Sequence, residues 1–181
     1  MYKSIPTYKD GLWSETHFEE KNDWVSYLLT LFKEPGQYEF DDTALLFNEQ
    51  AVIFNKQGFY CDKPFRSKDF NKYWEDQKFK CKEGVLYHGK KNVFYLTRDY
   101  YMWLNFLPIF DKEEKKYGFA KVRDAEYHMA LYEVLAEEHN KHVAILKKRQ
   151  IASSYFHMAK LINQFWFEEG SICKIGASLK D

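Results

Sequence analysis

The sequence predicts an α/β protein: a predominantly helical N-terminal region over residues 1–116, then the opening of a parallel sheet over 117–181. Three observations carry this. Apolar side chains recur at helical spacing through the N-terminal region, as at Trp24, Leu28, Leu31 and Phe32. Past the charged stretch at residues 111–118 the pattern becomes helix, short apolar run, helix, short apolar run, the rhythm of an α/β unit. The composition is that of a packed chain, with 16 Phe, 14 Tyr and 5 Trp against 8 Gly and 4 Pro in 181 residues. That is too aromatic for a disordered tract and long enough to bury a core without disulfides.

Taken in order, residues 1–19 show no clear period and are expected to be an arm that docks through Trp13 and Phe18. Asn22 caps a first helix, which Pro35-Gly36 stops. Asp41, Asp42 and Thr43 are capping candidates for a second, with Leu46, Phe47, Ala51 and Phe54 along it and Gly58 just past its end. Ser67 opens a third, on which Phe70, Trp74, Gln77 and Cys81 share a face, and Gly84 ends it. The text GVLYHGKKNVFYL predicts a small hairpin. Thr97 then caps a helix carrying Tyr100, Trp103, Leu104 and Leu107, stopped by Pro108. Trp24, Trp74 and Trp103 are expected to be mostly buried with their indole N–H groups hydrogen-bonded. DKEEKKYG, at 111–118, reads as a solvated loop and as the boundary between the two regions.

Beyond it, Asp124 caps a helix with Ala125, Met129, Tyr132, Leu135 and Ala136 on one face, and HVAIL at 142–146 is an apolar run of strand type. Another helix starts near Ser154, with Tyr155, Met158, Ile162 and Trp166 expected to be buried, before a second strand-like run, SICKIGAS. The two runs are expected to lie side by side and parallel, joined by that helix in a right-handed crossover.

Function classes narrow at the level of composition. The 27 basic and 27 acidic residues give no net charge, which argues against a constitutive nucleic-acid coat but leaves room for a local basic groove. Cys61, Cys81 and Cys173 are odd in number and lack CxxC spacing, which fits a reducing compartment. No apolar run approaches the ~20 residues that span a bilayer, so no membrane partner is expected.

The chemistry concentrates at LKKRQIASSYF. A strand-to-helix turn there presents free backbone N–H groups at a helix N-terminus, where an anion is favoured. Against the phosphate-loop pattern GxxxxGK[ST], Lys147, Lys148, Arg149, Gln150, Ile151, Ala152, Ser153 and Ser154 match only at the final Ser. The parts are nevertheless present: a cation from Lys147, Lys148 or Arg149, backbone donors from Gln150 to Ser153, and a hydroxyl on Ser154 for Mg²⁺. The alternative is that KKR marks chain running into solvent and the serines merely cap the next helix.

Four segments in order resemble a known family: FNEQAVIFNKQGFY, FNKYWEDQKFKCKEG, FYLTRDYYMWLNFLPI, and HVAILKKRQIASSYFHMAKLINQFWFEEGSICKIGAS. Over roughly residues 47–178 the chain is similar to the N-terminal part of the large terminase subunit of tailed bacteriophages, especially the crAss-like type. The resemblance implies that the 117–181 region is the start of a P-loop NTPase parallel sheet, incomplete in this chain. It implies ATP and Mg²⁺ as cofactors, with Lys147 as the phosphate lysine at the first loop position, as in deviant members of the family. Ser154 would be the Mg²⁺ ligand, and Arg149-Gln150 matches a pair seen in the family's loop. It carries Tyr101 and Asn105 over as adenine contacts. Ala152 replaces the usual Gly and restricts close approach of backbone to phosphate.

The resemblance further implies double-stranded DNA, a portal protein and a small terminase subunit as partners, and a homo-oligomer when packaging. The place of action would be the host cytoplasm, at the procapsid portal. No Walker B acid follows Ser154, so the catalytic residue is left unassigned and the chain is expected to be a fragment, inactive alone. The rival reading is a non-enzymatic docking or assembly module with a degenerate loop. Cys61, Cys81 and His88 match no zinc spacing, and the middle aromatics read as core before they read as base-stacking platforms.

Overall fold

The computed structural model describes residues 1–111, 115–146 and 153–174. Among these the chain is an α/β fold, with a mixed sheet of four strands and six helices. The N-terminal segment is no arm. β1 (Lys3–Lys9) and β2 (Leu12–Phe18) form an antiparallel hairpin across Asp10 and Gly11, at φ 51° and 83°. Asp-Gly with two positive φ angles is the turn that matches strand twist, and it is what folds this stretch.

β3 (Val85–His88) pairs parallel to β1 and antiparallel to β4 (Val93–Leu96), giving the order β2-β1-β3-β4. Gly84, at φ 78°, leads into β3, and a Cβ there would stand 2.5 Å from the Leu96 carbonyl oxygen. No other residue fits that entry. Trp13 and Phe18 are five apart on β2 and so face opposite sides of the sheet. On the Trp13 side lies α3 (Lys68–Glu83), whose buried Lys80 sets Nζ 3.6 Å from the Trp13 ring centroid and 2.7 Å from Asp76. On the Phe18 side lies α1 (Lys21–Thr30), with Trp24 5.2 Å from Phe18.

The helices begin where their caps require. Glu20 and Asp23 form a capping box on α1, the Ser67 hydroxyl accepts from Phe70 N–H on α3, and the Thr97 hydroxyl accepts from Tyr100 N–H on α4 (Arg98–Phe106). The second expected helix is split into a 3₁₀ turn, Asp42–Leu46, and α2 (Glu49–Gln57), which Gly58 closes at φ 81°. The Asp41 carboxylate accepts from Thr43 N–H and also from Lys90 N–H in the β3–β4 turn, tying two loops together. The stretch around residue 111 is a short ribbon, β5 (Ile109–Asp111) with β6 (Lys116–Gly118), where a plain loop was expected.

α5 (Asp124–Glu138) packs on α1 and β4, and α6 (Ser153–Phe167) packs on α3 and α4. One core cluster includes Ile5, Trp24, Tyr95, Trp103, Tyr127 and Phe156. Two expectations for the C-terminal region are corrected. Residues 142–146 are not a strand: the run is irregular, and Leu146 is fully exposed, because no neighbouring strand among the described residues offers a ladder. Residues 171–174 are likewise irregular, and the remainder of that run lies outside the described residues. The single parallel pairing among the described strands is β1 with β3. α6 also presents a different face from the expected one. It buries Phe156, Ala159 and Asn163, while Tyr155, Met158 and Trp166 stand exposed. The helix is apolar on two sides, and periodicity does not say which side meets the core.

Trp24 is buried with its N–H donating to Glu138 Oε1 at 2.7 Å, as expected. Trp74 is half-buried. Trp103 is buried, but its indole N–H has no partner among the described residues.

Candidate functional site

The candidate loop divides at its end. Lys147, Lys148, Arg149, Gln150, Ile151 and Ala152 lie outside the described residues, whereas Ser153 and Ser154 form the first turn of α6. Ser153 is buried, its carbonyl oxygen 2.6 Å from His157 Nδ1 and its hydroxyl 3.3 Å from the same atom. Ser154 is exposed. Of the two hydroxyls, the one assigned to Mg²⁺ is therefore the one open to solvent. Upstream, residues 143–146 and α5 enclose an apolar recess of about 320 Å³, walled by Pro35, His128, Met129 and Tyr132.

α6 is held by charge. Lys160 Nζ donates to Glu133 Oε2 at 2.8 Å and pairs with Glu137, while Arg98 binds Glu168 at 2.7 Å and stands 3.5 Å from Glu137. Burial pulls the Lys160 ammonium down, but its hydrogen bonds to Glu133 and Glu137 outweigh that and hold it above the ordinary lysine value. His157 Nε2 comes within 2.9 Å of Glu133 Oε1, yet that oxygen accepts no hydrogen bond among the described residues, so the contact is out of line. Asn163 Nδ2 donates to the Cys81 carbonyl at 2.8 Å and completes the seat.

Asp99 sits beneath this cluster, 3% exposed, with Oδ1 accepting no hydrogen bond among the described residues and Oδ2 3.7 Å from Arg98 Nε. Burial pushes its carboxyl up to about 7 against the pull of Arg98 and Lys160. The sequence reading missed Arg98, Asp99, Glu133 and Lys160, because charges spaced along three helices look like ordinary solvated faces until those helices meet.

Tyr101 and Asn105, carried over as adenine contacts, stand in the core. Asn105 Oδ1 accepts from Gln50 N–H at 3.0 Å, and its Nδ2 donates to the carbonyls of Phe47 and Tyr101 at 2.8 and 3.0 Å. The Tyr101 hydroxyl donates to Gln77 Oε1 at 2.6 Å. Both residues are buried, and these bonds join α2 and α3 to α4. Among the described residues no group of three or more His, Cys, Asp or Glu side chains is placed to hold a metal ion. Cys81 is buried, which pushes its thiol up to about 12 and leaves it unreactive at neutral pH.

No family model, curated protein or solved structure matches the chain.

Proposed function

We propose that this chain is the N-terminal, ATP-binding part of a bacteriophage terminase large subunit, a motor that drives double-stranded DNA into procapsids. The observation that carries the reading is the opening of α6: a helix of 15 residues begins at Ser153, directly behind the candidate loop, and exposes Ser154 in its first turn. The N–H groups of such a turn favour an anion, and the resemblance asks for a Mg²⁺ hydroxyl at that residue. The outer apolar face of α6, with Tyr155, Met158 and Trp166, is the side that a parallel sheet of the P-loop type would cover. In this reading Lys147 neutralises the β- and γ-phosphates and Ser154 ligates Mg²⁺. The purine lies in the recess beside residues 143–146, since Tyr101 and Asn105 are committed to the core. A neighbouring subunit of a homo-oligomer supplies the arginine finger, and the portal protein and small terminase subunit are the partners at the procapsid in the host cytoplasm.

The rival is a non-enzymatic docking module. Ala152 and Ser153 in place of Gly-Lys favour it, as does the exposure of Phe165 and Trp166. Titration with a fluorescent ATP analogue and Mg²⁺ separates the two. Lys147→Ala is expected to weaken binding by at least ~1.5 kcal/mol, the value of a charge-assisted hydrogen bond to phosphate, and Lys148→Ala to change little. Equal losses at both lysines would leave the turn as a helix cap and favour the docking module.

A further inference from the structure

α2 and α3 diverge around the loop at residues 59–67, and the space between them is a cleft of about 310 Å³. Tyr60 and Tyr73 wall it with Ile53, and Asp62, Lys63 and Asp69 edge it. The loop carries two exposed rings, Phe59 at 48% and Phe65 at 75%. Phe65 is not adrift: its ring is 5.3 Å from Phe70, which is 6.2 Å from Trp74, which is 6.1 Å from Tyr60. A ladder of rings thus runs from the half-buried Trp74 out to the surface. The Arg66 guanidinium lies 5.2 Å over the Phe65 ring, on a residue held at φ 64°.

Charge concentrates in the same place. Residues 56–72 carry the exposed cations Lys56, Lys63, Arg66, Lys68 and Lys72 against Asp62 and Asp69 alone, in a chain whose total charge is zero. Rings interleaved with cations fit an anionic polymer that offers flat faces.

We propose that this cleft and its loop bind single-stranded nucleic acid, with an unstacked base between the tyrosines and phosphates on the surrounding cations. A duplex keeps its base faces stacked and cannot offer one to the cleft. An anionic membrane would meet the same cations, but Asp62 and Asp69 edge the cleft and would be driven against the lipid boundary at a cost in free energy. Against a base the same carboxylates accept from N–H groups of its edge, such as N3–H of thymine. The surface lies on α2 and α3, requires no nucleotide, and stands whether or not the loop before α6 binds ATP.

The test is fluorescence anisotropy of the full chain with labelled oligothymidylate of roughly 20 nucleotides, over a salt series from ~50 mM. Phe65 is exposed and its truncation leaves the core intact, so Phe65→Ala is expected to weaken binding about 5- to 150-fold without changing the salt dependence. Lys63→Ala should lower the slope of log affinity against log salt by about 0.7, the value of one phosphate contact on a single strand. Lys90→Ala, in the β3–β4 turn, should alter neither. The proposal is overturned if the wild type does not bind at low salt, if Phe65→Ala binds as well as the wild type, or if a duplex competes equally. Binding to phosphatidylserine vesicles that depends on Phe65, with no binding to the oligonucleotide, would make the surface a lipid site instead.

Discussion

Two polar networks lie on either side of α4, and they are built on opposite principles. Where α2, α3 and α4 meet, the buried core of the network is neutral: Asn105 bonds Gln50 N–H and two carbonyls, Tyr101 bonds Gln77, and the Tyr73 hydroxyl bonds Gln50 Oε1 at 2.6 Å, with charge entering at its solvent edge, where Gln77 Nε2 donates to Asp76. Where α4, α5 and α6 meet, the members are charged, with Arg98 and Lys160 set among Asp99, Glu133, Glu137 and Glu168. A neutral network holds at any physiological pH, whereas a buried ionic one changes with the protonation of its least solvated member. The helix behind the candidate loop is therefore seated on the pH-dependent side of the molecule.

The largest expected effect is on the neutral side. Asn105→Ala strands Gln50 N–H and the Phe47 carbonyl in the core, and should remove about 3–4 kcal/mol of stability, given ~1–3 for each buried group left unpaired. Urea unfolding should return the same loss at mildly acidic and mildly basic pH. A loss that varied with pH would erase the contrast between the two networks.

The charged side should respond in the opposite direction. The folded carboxyl of Asp99 titrates near 7 while the unfolded one titrates near 3.8, so between those values the native state holds a proton that the unfolded state has released. Stability therefore falls as pH rises through that window, by ~1.4 kcal/mol per unit, and levels off above it. Asn reproduces the protonated carboxyl. Asp99→Asn should nearly match the wild type near pH 4 and exceed it by roughly 3 kcal/mol near pH 6, read from paired thermal and urea melts. A variant less stable than the wild type at the higher pH would mean that Arg98 needs the charge.

The smallest effect compares two tryptophans. Trp24 donates to Glu138, and Trp103 finds no acceptor among the described residues. Trp24→Phe and Trp103→Phe remove similar volume, so the first should cost about 1.5 kcal/mol more, the lower value for a hydrogen bond to a charged group. Equal losses by urea unfolding would show that the Trp103 N–H has a water partner.

Local chemistry was legible in the sequence wherever it acts within a few residues. Ser67 and Thr97 cap helices through their own hydroxyls, Gly58 and Gly84 end helices at positive φ, and the Lys-Lys-Asn turn folds a hairpin. The Asp10-Gly11 turn is as local as these, but KSIPTYK and LWSETHF alternate too weakly in hydrophobicity to announce the strands on either side of it. What tertiary structure alone decided are the matters of partnership. HVAIL has the residues of a strand and, among the described residues, no ladder to join, α6 has two apolar sides and buries the one that meets α4, and Tyr101 and Asn105 became core amides and phenols because α2 and α3 close over them. A cap is satisfied by atoms three residues away. A ladder, a buried face or a charge cluster is satisfied by segments tens of residues distant, and which segments arrive depends on the free energy of the whole fold.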